Sequence, residues 1–260
     1  MSDLWQTITL GIIEGITEFL PVSSTGHLLI AEHWLGERSE LFNVAIQAGA
    51  ILAIVFVYWR RLLTLFTGLD KPENRDYLAK LTVAFLITSV LGFIATKHGF
   101  KLEEAVRPIA WALIIGGVAI LAIERLIANR PPVTTVTWKV AFWVGACQIL
   151  AAIFPGTSRS ASTIFAAMLA GLTARPAATE FAFLVGIPTM FAATGYELLK
   201  TRGEAANEDW TALAIGFVVS GIVAFIAVKW LLRYIQTHRF TVFAWYRIAL
   251  GLALLLVNLN

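Results

Sequence analysis

Charge is scarce in this sequence. Only 14% of its 260 residues are Asp, Glu, Lys or Arg, against about 25% in an ordinary soluble domain. The formal net charge is +3, carried by scattered basic residues. That argues against a nucleic-acid-binding surface, which needs a clustered basic face. Cysteine is rarer still. The single Cys147 excludes an intrachain disulfide and, in an apolar segment, reads as packing. The start Met1-Ser-Asp-Leu-Trp carries no basic region, so no cleavable signal peptide is expected.

What remains is apolar. Hydrophobic residues make up 58% of the chain, and mean hydropathy is +0.76. Ile109–Ala122 and Ala212–Val228 run almost without charge, and neighbouring residues extend them past what a soluble core helix needs. The reading is all-α: a polytopic helical membrane protein, one integral membrane domain over residues 1–260.

Polar chemistry concentrates in Gly11-Ile-Ile-Glu-Gly-Ile-Thr-Glu-Phe-Leu-Pro-Val-Ser-Ser-Thr-Gly-His27. Glu14 and Glu18 are four apart, so a helix sets them on one face, one turn apart. Gly11 and Gly15 share nearly that face, which suits packing against protein rather than lipid. Ionisable groups in an apolar segment are functional candidates by default. A helix end with its acids in interfacial water is the simpler reading. Apolar residues on both sides of the acids speak against it.

The chain then falls into two similar halves, about 1–129 and 135–260, parted by Arg130-Pro-Pro-Val-Thr-Thr. Segment one runs from about Asp3 to Leu20 and stops at Pro21, which a helix interior does not tolerate. A helix starting at Ser23 or Ser24 and reaching Leu35-Gly36 is too short to cross a hydrocarbon core of about 30 Å. The pair reads as a re-entrant hairpin, allowed at membrane depth only when buried in protein or lining a cavity. Three longer segments follow, at Leu41–Leu65, Leu78–Thr96 and Arg107–Ile127. In the second half Gly145 to Pro155 matches Gly11 to Pro21 in length. Gly156-Thr-Ser-Arg-Ser-Ala-Ser-Thr163 opens another short helix, ending at Gly171. Pro176–Leu199, Trp210–Leu232 and Val242–Val257 complete the half. An odd number of spans per half points the halves in opposite directions, so the plan is an inverted repeat.

Basic residues give the orientation. With the N-terminus outside, the inner side holds Arg60, Arg61, Lys71, Arg75, Lys80, Arg125, Arg130, Lys139, Arg175, Lys229, Arg233 and Arg239. The outer side holds Arg38, Lys97, Lys101, Arg107, Lys200 and Arg202. Twelve against six places both termini outside. Arg159 and Arg247 are left out of this count as apparent membrane-depth residues.

The two motifs are chemically unequal. Glu14, Glu18, Thr25 and His27 correspond to Gln148, Ala152, Arg159 and Ala161. Tip to tip, the hairpins would join a carboxylate pair, a histidine, an arginine and two helix N-termini. Helix N-termini and arginine bind phosphate oxygens. Paired carboxylates suit a hard divalent cation. The joint site therefore reads as phosphate-handling, with Glu14 and Glu18 close to Arg159. Structural readings stay open: Arg159 as a partner of Glu180 or Glu14, and Ser158, Ser160 and Thr163 as caps or back-bonded helix hydroxyls. Glu180 is undecided between site and interface. Arg247, beside Tyr246 near the start of a span, reads as an anchor to lipid headgroups. Trp and Tyr read as an interface belt.

Glu14-Gly-Ile-Thr-Glu18-Phe-Leu-Pro-Val-Ser-Ser-Thr-Gly-His27 and Pro155-Gly-Thr-Ser-Arg-Ser160 with Thr163 resemble the two signature motifs of the bacterial undecaprenyl pyrophosphate phosphatases. The resemblance covers essentially the whole chain, including Gln47-Ala-Gly-Ala-Ile-Leu-Ala, Glu180-Phe-Ala-Phe-Leu and Phe243-Ala-Trp-Tyr-Arg-Ile. One departure is Ala161, where the family usually has Gly. The resemblance implies a multi-pass enzyme of the bacterial inner (plasma) membrane. It would convert a C55 polyprenyl diphosphate to the monophosphate carrier used for cell-wall synthesis, at a site opening outward. It implies a divalent cation, Mg2+ or Ca2+, at Glu14 and Glu18, which would hold the metal or steer protons. It implies Arg159 gripping the diphosphate, and His27 as base or nucleophile with Ser24 as the rival nucleophile. Ser23, Thr25, Ser158, Ser160 and Thr163 would line the phosphate cradle. The expected partners are the lipid substrate and membrane lipid, not nucleic acid, with a homodimer left open.

The main rival is a flippase for the monophosphate carrier, since broken helices and buried acids also mark transporters. The type-2 phosphatidic acid phosphatases fit poorly. Lys101 and Arg107-Pro108 are one residue too close, Ser24-Thr-Gly-His27 carries an extra Thr, and no His follows Arg159 at the needed spacing.

Overall fold

The computed structural model describes residues 2–100, 105–200 and 208–257. Lys101 and Arg202, both counted above on the outer side, lie outside the described residues. Among the described residues there are twelve helices and no strand.

The first hairpin is α1 (Ser2–Thr17) and α2 (Ser24–Leu35). Helix α1 ends four residues before Pro21, earlier than the proline alone predicts. Glu18 still donates its N–H to the Glu14 carbonyl at 3.0 Å, so the two acids keep their one-turn spacing. Helix α2 has 12 residues, about 18 Å at 1.5 Å per residue, and cannot cross the bilayer.

Helix α3 (Glu40–Val57) is capped by Ser39. Here the structure corrects the single segment Leu41–Leu65. The backbone leaves the helix at Tyr58 (φ −100°, ψ 15°), and α4 (Trp59–Thr67) begins anew. Helix α4 buries Leu65 while Trp59 and Phe66 stay exposed. Its two arginines stand in its first turn, the pattern of an interfacial helix.

Helices α5 (Pro72–Lys97), with proline in its first turn, and α6 (Val106–Ile127) complete the first half. The second hairpin bends at Gln148 into α7 (Trp138–Cys147) and α8 (Ile149–Ile153), then turns into α9 (Arg159–Leu169), only 11 residues long. Helices α10 (Arg175–Lys200), α11 (Trp210–Tyr234) and α12 (Thr241–Val257) follow. Five helices, α3, α5, α6, α10 and α11, are long and apolar enough to cross a membrane. Helix α12 is apolar and 17 residues long.

The halves interlock. Helix α1 packs on α11, and α7 packs on α5. Small residues permit both approaches, as in other membrane bundles. A Cβ at Gly15 would lie 2.7 Å from the Ser220 carbonyl oxygen, and one at Gly145 would lie 2.5 Å from that of Ala84. Helix α6 pairs with α12, and α3 packs on both α10 and α11. The largest apolar core runs through the middle, from Phe19 and Ile54 to Phe181 and Phe240. All nine tryptophans are exposed, each at 47% or more. Outward Trp on an apolar bundle is what a lipid-facing belt requires.

Candidate functional site

Both hairpins restart their second helix in the same way. Ser23 and Ser158 adopt φ of 75° and 71°, the described non-glycine residues with positive φ. Each is an N-cap. Ser23 Oγ accepts from the Gly26 N–H at 3.4 Å and Ser158 Oγ from the Ala161 N–H at 3.2 Å. Such backbone costs on the order of 1 to 3 kcal/mol per residue and persists only when its surroundings impose it. Here the two breaks hold each other. Ser160 Oγ donates to the Leu20 carbonyl at 2.9 Å, 140 residues away.

Glu18 is the centre of the joint site. It is 7% exposed. Its Oε2 accepts from Ser24 Oγ at 2.5 Å, and its Oε1 accepts from Arg159 Nη2 at 3.2 Å. One carboxylate thus receives a hydroxyl from its own hairpin and a guanidinium from the other. Arg159 lies over the Phe19 ring, 5.7 Å from its centroid. Gly186 on α10 makes room for it, since any Cβ there would meet Nη1. Glu14 is within electrostatic reach of both Glu18 and Arg159. The expected closeness to Arg159 is met by Glu18, which contacts it directly; Glu14 makes no direct contact with the guanidinium.

Several polar atoms here have no hydrogen-bond partner. Glu14 Oε2, Arg159 Nε and Arg159 Nη1 are all buried. Unpartnered buried polar atoms call for an explanation. A carboxylate oxygen wants a cation or donor, and guanidinium N–H groups want an anion. Among the described residues no three His, Cys, Asp or Glu cluster as a protein-only metal site. Two carboxylates fit Mg2+, which takes one or two carboxylates and completes its shell from phosphate oxygens and water.

His27 is held at both nitrogens. Nδ1 lies 2.7 Å from the Ser23 carbonyl oxygen, and Nε2 lies 2.6 Å from the Tyr246 hydroxyl. A carbonyl only accepts, so Nδ1 carries the proton and Nε2 of the neutral ring accepts from Tyr246. The rings stack at 5.6 Å with 7° between planes.

The hydroxyls divide. Ser24 faces Glu18, and Thr25 is half-buried beside it on α2. Ser23 and Ser158 are caps, and Ser160 ties the breaks together while contacting Ser158 Oγ at 3.0 Å. Thr163 is fully buried and donates back to the Arg159 and Ser160 carbonyls, a back-bonded helix hydroxyl.

Other residues fall elsewhere. Glu180 is 3.0 Å from Arg61 Nε and accepts from Tyr77 at 3.4 Å, away from Arg159. Gln148, the counterpart of Glu14, donates to Thr88 Oγ1 at 2.9 Å. Buried Glu124 receives the Arg175 fork and the Phe240 N–H. Arg247 corrects the headgroup-anchor reading. It is completely buried, and its hydrogen bonds run to main-chain carbonyls that include Pro21, Gly156 and Thr157. Only its Tyr-Arg placement in an apolar span hinted at this.

An apolar cavity of about 570 Å³ lies beside the second break, between α6, α8 and α9. Trp111, Ile115, Leu150 and Phe165 form its walls, and Thr157 and Ser162 its few polar contacts. Ala161, the departure from the usual glycine, is on its surface.

A polytopic helical membrane protein with a polar centre assembled from two broken hairpins is the class these features define. The chain belongs to the bacitracin resistance protein BacA family, whose profile it matches over residues 7–253. A Rhizobium etli protein named undecaprenyl-diphosphatase is 67% identical over 255 residues, covering 97% of this chain and 96% of that protein. Proteins of the same name from Xanthomonas oryzae pv. oryzae and Xylella fastidiosa are 59% identical over 258 residues, covering 98% of this chain and 97% and 98% of theirs.

Proposed function

We propose that this chain hydrolyses undecaprenyl diphosphate to undecaprenyl phosphate and inorganic phosphate, recycling the lipid carrier for cell-wall synthesis. The observation that carries the reading is Glu18 held between the Ser24 hydroxyl and the Arg159 guanidinium. Phosphoryl transfer needs a positioned nucleophile and a cation against the developing charge. This arrangement supplies both in a water-poor site, where such charges act most strongly.

Ser24 Oγ attacks the terminal phosphorus, and its proton passes to the Glu18 carboxylate. The bridging P–O bond breaks, and undecaprenyl phosphate leaves with the electron pair. Water then attacks the phosphoserine, inorganic phosphate leaves, and Ser24 regains its proton. Arg159 turns its unpartnered N–H groups to the diphosphate oxygens. His27, with both nitrogens engaged, orients α2 and keeps Tyr246 at the site rim. Glu14 and Glu18 would hold the divalent cation, which when bound neutralises charge on the phosphate oxygens.

The apolar cavity offers the isoprenoid chain a seat next to the phosphate site. The reciprocal packing of α1 on α11 and α7 on α5, with the matched caps Ser23 and Ser158, supports two inverted halves in one domain. The basic-residue asymmetry supports both termini outside and a site reached from the outer face. The names of the relatives speak for hydrolysis, and none of those compared speaks for carrier transport.

Purified protein in detergent with a polyprenyl diphosphate tests the reading. The expected result is release of inorganic phosphate, lost in Glu18→Ala and Arg159→Ala. Carrier movement across vesicles without phosphate release would overturn it.

A further inference from the structure

Arg247 is the largest fully buried side chain among the described residues. A guanidinium has five N–H donors, and here all five are used. Nε donates to the Leu113 carbonyl at 3.4 Å. Nη1 donates to Pro21 at 3.2 Å and Thr157 at 3.1 Å. Nη2 donates to Ala112 at 3.0 Å and Gly156 at 3.1 Å. Gly116 on α6 provides the space, because any Cβ there would meet the guanidinium. Every acceptor is a main-chain carbonyl, so no N–H remains for a phosphate.

The identity of these carbonyls matters. Ala112 and Leu113 lie within α6, where a second lone pair is available to each. Pro21, Gly156 and Thr157 lie in the two breaks, where no helix supplies their partners. Irregular backbone at membrane depth requires such partners from the protein itself. One side chain gives them to both breaks at once and fastens both to α6. The first break carries Glu18 and Ser24, and the second carries Arg159.

We propose that Arg247 is a positioning residue that fixes the Pro21 and Gly156–Thr157 breaks in one geometry and so sets Glu18 and Ser24 against Arg159. It does not touch substrate. Tyr246, one residue earlier on α12, holds His27 from the same helix, so α12 fixes the site from behind on both sides. Lysine cannot replace Arg247. It keeps the charge but offers three donors from a point rather than a planar fork.

The kinetic part of the test rests on the phosphatase reading, and the distance part does not. Arg247→Lys is compared with the unaltered protein for kcat, KM and melting temperature. Spin labels at Ile30→Cys on α2 and Ser162→Cys on α9, in a Cys147→Ala background, report the spacing of the hairpins. Arg247→Lys is expected to lower kcat about 100-fold, the cost of roughly 1 Å of misplacement, with KM changed less than about threefold. The label distance is expected to broaden from one narrow population. Unchanged kcat with a narrow distance would overturn the proposal. A raised KM at unchanged kcat would also overturn it, by making Arg247 a substrate contact. If Arg247→Lys aggregates, Arg247→Gln takes its place, and aggregation of both assigns the residue to folding and overturns the proposal. Broadening in a protein that releases no phosphate would uphold positioning while the hydrolysis reading fails.

Discussion

The Arg159 guanidinium lies 3.2 Å from a Glu18 carboxylate oxygen, although 141 residues separate the two in sequence. Neither hairpin holds a complete site. The first brings acid and hydroxyl, and the second brings the cation. The pair is nearly buried, with Arg159 at 14% and Glu18 at 6% side-chain exposure. Removing one partner therefore strands the other charge, which costs on the order of 3 kcal/mol. Glu18→Gln keeps the volume and removes the charge. It is expected to lower kcat by about 10² to 10⁴-fold, the range for loss of a positioned proton acceptor, with the fold intact by circular dichroism. Activity within threefold of the unaltered protein would remove Glu18 from the chemistry.

Arg159→Lys separates charge from fork geometry. Lysine is a point charge and cannot make a planar two-point contact with a diphosphate. The expected result is a KM raised about tenfold, equivalent to ~1.4 kcal/mol of lost binding, with a smaller change in kcat. Measuring both constants on one substrate checks this. A variant that lowered kcat alone would place the guanidinium on the transition state only.

Ser24 and His27 make opposite predictions. Ser24→Ala removes the hydroxyl that donates to Glu18 at 2.5 Å and is expected to abolish turnover. His27→Asn breaks the contacts to Ser23 and Tyr246 and is expected to cost only about tenfold, the effect of a loosened support. Rapid quenching followed by peptide mass spectrometry should find phosphate on the peptide containing Ser24. An active Ser24→Ala protein with phosphate on His27 would reverse the assignment.

Glu14, with Glu18, is proposed to hold the divalent cation. Its Oε2 is buried without a partner, and it makes no direct contact to Arg159. Chelation by EDTA should stop phosphate release, and added Mg2+ or Ca2+ should restore it. Glu14→Gln should raise the cation concentration for half-maximal activity about tenfold, since one of two carboxylate ligands is lost. Isothermal titration with the cation alone gives a second readout. An unshifted cation requirement would leave Glu14 as packing only.

Much of this was legible from the chain, for identifiable reasons. The broken hairpins showed because Pro21 and Pro155 end apolar runs and Ser23 and Ser158 make strong caps, all local signals. The pairing of Glu18 with Arg159 followed from matching two similar stretches. What stayed hidden was non-local or lacked punctuation. The break at Tyr58 has no Pro or Gly beside it: the preceding Gly is Gly49, nine residues away, and Arg60 and Arg61 follow without ending the helical pattern. Arg175 meets Glu124 across 51 residues with nothing nearby to announce it. Arg247 reads as membrane-deep in the orientation count, yet beside Tyr246 near the start of a span it also reads as a headgroup anchor, because a sequence does not show which distant carbonyls a guanidinium reaches. Thr163 matched a motif, yet its hydroxyl turns back to its own helix.

Ala161 offers a test of the lipid side of the site. It stands where the resemblance to the signature motif leads one to expect glycine, and it lines the apolar cavity between α6 and α9. It is also the third residue of α9, an 11-residue helix. Ala161→Gly therefore has two opposed effects. Glycine in a helix costs about 1 kcal/mol relative to alanine, which should lower the melting temperature by a few degrees. The lost methyl should widen the cavity where the isoprenoid chain is proposed to lie. A longer chain fills more of that space, so the change should depend on chain length. KM for the C55 diphosphate should fall about tenfold, the lower end of what roughly one methylene of space is worth in an apolar pocket. KM for a C15 diphosphate should change less, because fewer of its units reach past Thr157. Equal shifts for both substrates would mean that Ala161 acts through α9 and the Ser158 cap instead, and that the chain lies elsewhere.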